Sequence, residues 1–154
     1  MTPDASSSDT ASSRPELFTS AWAERLEREL AGNEPFRNAA ASWKGSLALS
    51  LHPDGTQGFP AVRSLFLDLA HGSSRAVRVA EPRDVAAANF ALEAPAAVWL
   101  RLLRGEIEPA AAIMKGGLKL TRGSLFSLFP HLKAAQALFE CARLVPTHFP
   151  GKRP

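Results

Sequence analysis

Phe18, Trp22, Leu26 and Leu30 recur every fourth residue, with Glu24, Arg25, Glu27, Arg28 and Glu29 between them. On a helix that spacing draws one apolar stripe against a charged face, so it predicts an amphipathic helix stopped at Gly32. The pairs Glu24/Arg28 and Arg25/Glu29 lie four apart and support it. Asn33 is placed to cap a short second helix from Glu34 to about Ser42. The period then changes to two. In Ser46-Leu47-Ala48-Leu49-Ser50-Leu51 the leucines share one face and small residues the other, the pattern of a half-buried strand. His52-Pro53-Asp54-Gly55 is turn chemistry, and Gly58-Phe59-Pro60 lengthens the loop. Leu65, Leu67 and Leu69 mark a second strand ended by His71-Gly72, and Val77 with Val79 a third.

Ala86 to Glu93 alternates again, with Ala88, Phe90 and Leu92 on one side, and reads as a fourth strand, although its alanines suit a helix equally well. Pro95 opens a helix through Trp99, Leu102 and Leu103 that ends at Gly105. Pro109 to Lys115 is another, broken by Gly116-Gly117. Leu118 to Thr121 gives a fifth strand, and Gly123-Ser124 turns into a terminal helix with Ser124 as its cap. Short turns between consecutive strands favour antiparallel neighbours, so the expected class is α+β, with a mainly antiparallel sheet.

The terminal segment, SLFSLFPHLKAAQALFECARLV from Ser124 to Val145, is unusually apolar. Its polar positions Lys133, Gln136, Glu140 and Arg143 form one narrow stripe. Such a helix must be covered by more than one side of a sheet: a second helix, a partner subunit or a lipid. Pro130 removes a helical hydrogen bond and disfavours the α conformation at Phe129, so a kink is expected there. His131 projects into the apolar arc.

With 154 residues, 45% of them apolar, the chain is sized for one domain with a real core. Residues 1–14 read as a disordered tail, 15–146 as the single domain and 147–154 as a C-terminal loop. No apolar run approaches the roughly 18 to 20 residues that span a bilayer. The start lacks a basic stretch followed by an apolar block, and Lys152-Arg153-Pro154 is no peroxisomal address, so a cytoplasmic location is expected. The net charge of +3 is too small for a dedicated nucleic-acid binder. It is uneven, with seven bases against nine acids in residues 1–77 and eleven against six in residues 78–154. The basic half fits either an anionic partner such as a phospholipid surface or a solvated face that aids solubility.

Catalytic chemistry is sparse. His52, His71, His131 and His148 stand singly, none with a second ligand at metal spacing. The lone Cys141 excludes an internal disulfide, and in a buried helix it reads as an inert thiol. Lys115-Gly116-Gly117 and Arg122-Gly123-Ser124 look like phosphate cradles but serve as a helix stop and a strand-to-helix turn. Glu106 and Glu108 lie near a helix start and form no acid/base pair. The expectation is a protein that is not an enzyme and needs no cofactor or metal.

The stretch Trp99-Leu100-Arg101-Leu102-Leu103-Arg104-Gly105-Glu106, then Glu108-Pro109-Ala110, then Met114-Lys115-Gly116-Gly117-Leu118-Lys119-Leu120-Thr121-Arg122-Gly123, resembles the sterol-carrier (nonspecific lipid-transfer) domain family. Trp43-Lys44-Gly45-Ser46-Leu47, with Gly58 onward, is similar to that family's first hairpin. The likeness spans about residues 20 to 145. Ser124 stands where the family has an acid or Asn, and Pro130 interrupts the last helix. The resemblance implies a five-stranded, mainly antiparallel sheet covered by helices, with an apolar tunnel between the layers. It also implies binding and transfer of a fatty-acyl, sterol-like or isoprenoid lipid without chemistry.

On that basis the candidate tunnel wall comprises Leu49, Leu65, Leu67, Phe90, Leu118 and Leu120 from the sheet and Trp99, Met114, Phe129, Leu132 and Phe139 from helices. Each of these types would equally serve as core filler. Arg101, Arg104, Lys115, Lys119 and Arg122 are expected near the mouth, where they would attract an anionic head group or membrane. Lipid is the expected partner and nucleic acid is not, while the oligomeric state stays open. The alternative is an accessory protein of a lipid-pathway enzyme, or a homodimer, built on the apolar last helix. A cryptic enzyme is a third reading.

Overall fold

The computed structural model describes residues 14–151; residues 1–13 and 152–154, where most of the expected tail and the chain's last residues fall, lie outside the described residues. Helix α1 (Ser20–Ala31) and helix α2 (Glu34–Ala39) begin as their caps dictate. The Thr19 hydroxyl accepts from the Trp22 amide and the Asn33 side chain from the Phe36 amide, each satisfying an amide that has no partner inside its helix. Three strands follow, β1 (Lys44–His52), β2 (Arg63–Ala70) and β3 (Ser73–Val79).

The segment expected as a fourth strand from Ala86 to Glu93 divides in two. Helix α3 (Pro82–Ala87) takes the alanines, and β4 (Phe90–Pro95) starts only after Ala88-Asn89. Pro82 stands in the first turn of α3, where its missing N–H costs nothing. The Asp84 carboxylate accepts from the Glu81 amide at 2.8 Å and from both Arg78 guanidinium nitrogens at 2.8 and 3.0 Å. The Arg78 bond, together with that amide, lowers the Asp84 pKa to about 2. The local capping contacts and alanine propensity outweigh the alternation that suggests a strand.

Helix α4 (Ala96–Leu103) follows directly on β4, with Pro95 as its cap rather than its first residue. Helix α5 (Pro109–Lys115) ends at Gly116 in the left-handed conformation, as its sequence predicts. Strand β5 (Lys119–Arg122), helix α6 (Leu125–Leu128), a 3-10 turn (Phe129–His131) and helix α7 (Leu132–Leu144) complete the fold. The break expected at Pro130 is that turn, but Phe129 keeps α-helical angles, φ −50° and ψ −45°, instead of leaving that region: the chain tightens to 3-10 geometry at the proline. Among the described residues no helix is long and apolar enough to cross a membrane.

The strands form one sheet in the order β3-β2-β1-β4-β5. Three of its pairings are antiparallel; β1 and β4 run parallel, because the chain leaves β3 at one edge and crosses by α3 to the far side of β1. β1 is therefore central. Its face of Leu47, Leu49 and Leu51 meets Leu67, Leu65 and Leu92 of the flanking strands and joins the main core with Trp22, Leu26 and Leu30 of α1 and Leu138 and Phe139 of α7. The opposite face is thinner, with Ala48, Ala88 and Ala91 packed against Val85 of α3.

Each tryptophan N–H finds an acceptor: Trp22 bonds the Thr147 hydroxyl, Trp43 the Gly45 carbonyl and Trp99 the Ser50 carbonyl, at 2.8, 3.1 and 2.9 Å. Three large rings thus enter the interior without stranding a donor. Residues beyond α7 return to the start of the domain. His148 makes a parallel bridge with Glu16, and Phe149 is buried edge-on to Phe59.

Gly123 sets the direction of α6. Its φ is +84°, and a Cβ there would lie 2.5 Å from a Phe90 ring carbon and 2.9 Å from the Asn89 carbonyl oxygen. Both the left-handed backbone and the close approach call for glycine. Gly123→Ala is expected to lower stability by about 1–3 kcal/mol, read as a fall of roughly 2–4 °C in melting temperature for each kcal/mol. A melting curve unchanged from the parent's rules this role out.

Candidate functional site

The terminal helix carries more grease than one sheet face needs, and the fold accounts for most of it. Ala134, Ala135, Ala137, Leu138, Phe139, Cys141 and Ala142 of α7 are all buried. The helix packs against α1, α2, α4 and α5 as well as facing the sheet. Other helices of the same chain supply the extra cover.

Ahead of α7, Ser124 caps α6 by accepting from the Ser127 amide at 3.0 Å. Leu128 turns inward and is buried, while Leu125, Phe126 and Phe129 on the same turn face solvent. The Trp43 ring lies edge-on to His131, 4.7 Å between centroids, and near Phe90 at 5.5 Å.

Between these pieces is a crevice lined by Trp43, Leu47, Leu69, Leu92, Leu128, Ala134, Ala135, Leu138 and Phe139. Its floor is one leucine from each of β1, β2 and β4. Its roof is α7, whose alanines leave the space, and Trp43 and Leu128 flank it. No polar side chain takes part. Its free volume is about 10 Å³, room for a single water, whereas small-molecule pockets run to about 300–1,000 Å³. This narrow crevice occupies the place where the elongated tunnel was expected.

Of the expected wall residues only Phe139 lines it. Leu49, Leu65, Leu67, Trp99 and Leu118 are core residues, with Trp99 stacked on Phe139 at 5.8 Å and 12°. Phe90, Leu120 and Leu132 pack at the core's margin. Met114 and Phe129 are 72% and 52% exposed and stand outside the wall. Leu47 and Leu69 share the period-two faces of Leu49 and Leu67, so alternation marks them as well. No periodicity distinguishes the end of a strand that borders a crevice from the end that is packed solid.

Residues 24–123 match the SCP-2 sterol transfer family. The chain belongs to this family. A crystal structure of sterol carrier protein 2 is 44% identical and superposes with a TM-score of 0.77, covering 84% of this chain and 99% of the other. The solution structure of a conserved hypothetical protein from Thermus thermophilus is 43% identical, with a TM-score of 0.75 over 86% of this chain and 91% of that one. The apo form of sterol carrier protein 2 from Yarrowia lipolytica is 17% identical, with a TM-score of 0.53 over 82% and 93%, and shares the fold. No curated protein matches the chain.

Within this sterol-carrier fold the five expected bases do not form one group. Arg101 and Arg104 both lie 3.8 Å from Glu106. Arg122 donates to the Ala88 carbonyl, and Lys115 and Lys119 are exposed on either side of the α5–β5 turn. The histidines are also dispersed. His52 meets the Glu93 carboxylate at 3.0 Å, and the His71 ring meets the Ala41 carbonyl at 3.2 Å. Among the described residues no three His, Cys, Asp or Glu side chains are grouped to hold a metal ion.

Burial pushes the Cys141 thiol up to about 11, with Glu29 and Glu140 adding to the effect. Because the thiolate is the reactive form, roughly one molecule in a thousand carries it at pH 8. Cys141 is expected to resist a disulfide reagent in the native protein at pH 8 and to react fully once guanidinium unfolds it. Rapid native labelling at that pH contradicts a sealed thiol.

Proposed function

We propose that this chain carries one hydrophobic molecule, fatty-acyl, sterol-like or isoprenoid, and releases it unchanged. Membership of the SCP-2 sterol transfer family supports the reading. The observation that carries it is the crevice itself, where leucines of three strands meet an alanine face of α7 with no polar group in the lining. Such a wall can shelter hydrocarbon but offers nothing to move a proton or attack a bond, so binding is the whole of the chemistry. It also discriminates poorly between chain lengths, in keeping with a broad class of lipid.

The crevice must widen to admit a ligand, and the energetics allow it. Each buried methylene contributes about 0.8 kcal/mol, so ten give roughly 8 kcal/mol before the costs of association. Helix α6 is the piece to move. It hangs between Gly123 and Pro130 and inserts only Leu128 into the core. Withdrawing that one side chain forfeits about 1.5–3 kcal/mol, less than the gross gain of roughly 8 kcal/mol from ten buried methylenes.

Native mass spectrometry of gently purified protein, followed by organic extraction, tests the reading. The expected result is a reproducible lipid adduct on the parent chain. In Ala135→Val, whose added methyl groups narrow the crevice with the least overpacking, the adduct and the uptake of a fluorescent fatty acid should fall about fivefold, with circular dichroism and a melting curve verifying that the fold survives. A clean apo mass from several expression hosts, together with no uptake of the fluorescent fatty acid by the parent, overturns it.

A further inference from the structure

The turn that carries Leu128 inward presents the opposite character outward. Leu125, Phe126 and Phe129 are 41%, 86% and 52% exposed and adjoin one another on α6 and its 3-10 extension. In helical projection Leu125 and Phe129 lie within about 40° of each other, Phe126 lies about 60° beyond Phe129, and the buried Leu128 falls on the far flank, about 160° from Phe126. Three large apolar side chains on one protruding turn are a liability in water unless something covers them.

The charge around this turn indicates what covers it. From Pro109 to Phe139 the chain contains no aspartate or glutamate, while Lys115, Lys119, Arg122 and Lys133 all fall within that run. All four are exposed, and among the described residues none of them forms an ion pair. Arg122 precedes the apolar turn by three residues and Lys133 follows Phe129 by four. An apolar tip flanked in sequence by exposed bases that lack carboxylate partners, Arg122 keeping its Nε on the Ala88 carbonyl, complements an acyl-chain boundary beneath a layer of anionic head groups. Another protein would more often meet such a patch with carboxylates, and an identical copy would bring the same bases into opposition.

We propose that the α6 turn is a membrane-docking tip, in which Phe126 and Phe129 insert at the interface of a bilayer rich in anionic phospholipid while Arg122 and Lys133 engage its head groups. The inference goes beyond carriage of a ligand. An empty chain docks by the same contacts, and a carrier that never docks still binds its lipid, so the two readings fail separately.

Co-sedimentation of the full chain with vesicles tests it. The chain is expected to bind vesicles of phosphatidylcholine mixed with phosphatidylglycerol, to bind phosphatidylcholine alone more weakly, and to be released by high salt. Phe126→Ser should lower the partition coefficient about tenfold. Arg122→Gln and Lys133→Gln should each lower it about fivefold, and Leu144→Ser, an exposed leucine outside the tip, should leave it unchanged. Phe126 is so exposed that its replacement leaves the fold intact, which circular dichroism verifies. The proposal is overturned if the parent shows no preference for the anionic vesicles or if Phe126→Ser binds them like the parent. It is equally overturned if the tip supports a concentration-dependent dimer that Phe126→Ser abolishes, since a second copy is then the occupant.

Discussion

Everything in this molecule hangs on the inward leucine face of β1. Because β1 is the central strand, Leu47 and Leu49 are flanked by Leu67 and Leu65 of β2, Leu51 by Arg63, and all three by β4 on the other side, and the helical layer closes over them. A one-residue slip would turn all three toward Ala48, Ser50 and the thin face covered by α3. The hydroxyl contact of Ser50 with Ser64 at 2.7 Å and the bond from the Trp99 N–H to the Ser50 carbonyl hold that register from both sides. The same arrangement puts Trp99 where Phe139 can stack on it, tying α4 and α7 to the sheet.

A fold that carries a greasy cargo has to reconcile a well-packed core with space for something foreign. Here the conflict is resolved by position. Phe139 stacks on Trp99 further along α7, while the first turns of the helix, where Ala134 and Ala135 face Leu47, Leu69 and Leu92, leave a narrow apolar gap. The looser end is also the end bounded by α6, which puts only Leu128 into the core and leaves Leu125 and Phe126 in solvent. Light anchoring, free space and exposed grease therefore coincide at one end of the domain. On the readings proposed above, that coincidence lets loading and surface contact take place together.

Much of this architecture is legible in the chain alone. The spacing of Trp22, Leu26 and Leu30, the caps at Asn33 and Ser124, the stop at Gly116 and the break at Pro130 are local effects, and each appears where local chemistry puts it. The motif from Trp99 to Gly123 points to the family. The stretch from Pro82 to Pro95 defeats a reading by periodicity because alternation and helix propensity compete there. The contacts that decide it, from Arg78 and Glu81 to Asp84, fasten the helix from its own N-terminus.

Outside the stretch from Pro82 to Pro95, sequence by itself determined the elements, most of their ends and the apolar excess of the terminal segment, since these follow from forces acting within about four residues. Tertiary structure alone decided that β4 lies parallel to β1, that Leu47 and not Leu49 borders the gap, and that Met114 and Phe129 stand in water. Those outcomes depend on which distant surfaces meet and how fully they fill one another. A leucine or a phenylalanine carries the same label whether it is packed solid, borders a void or reaches into solvent.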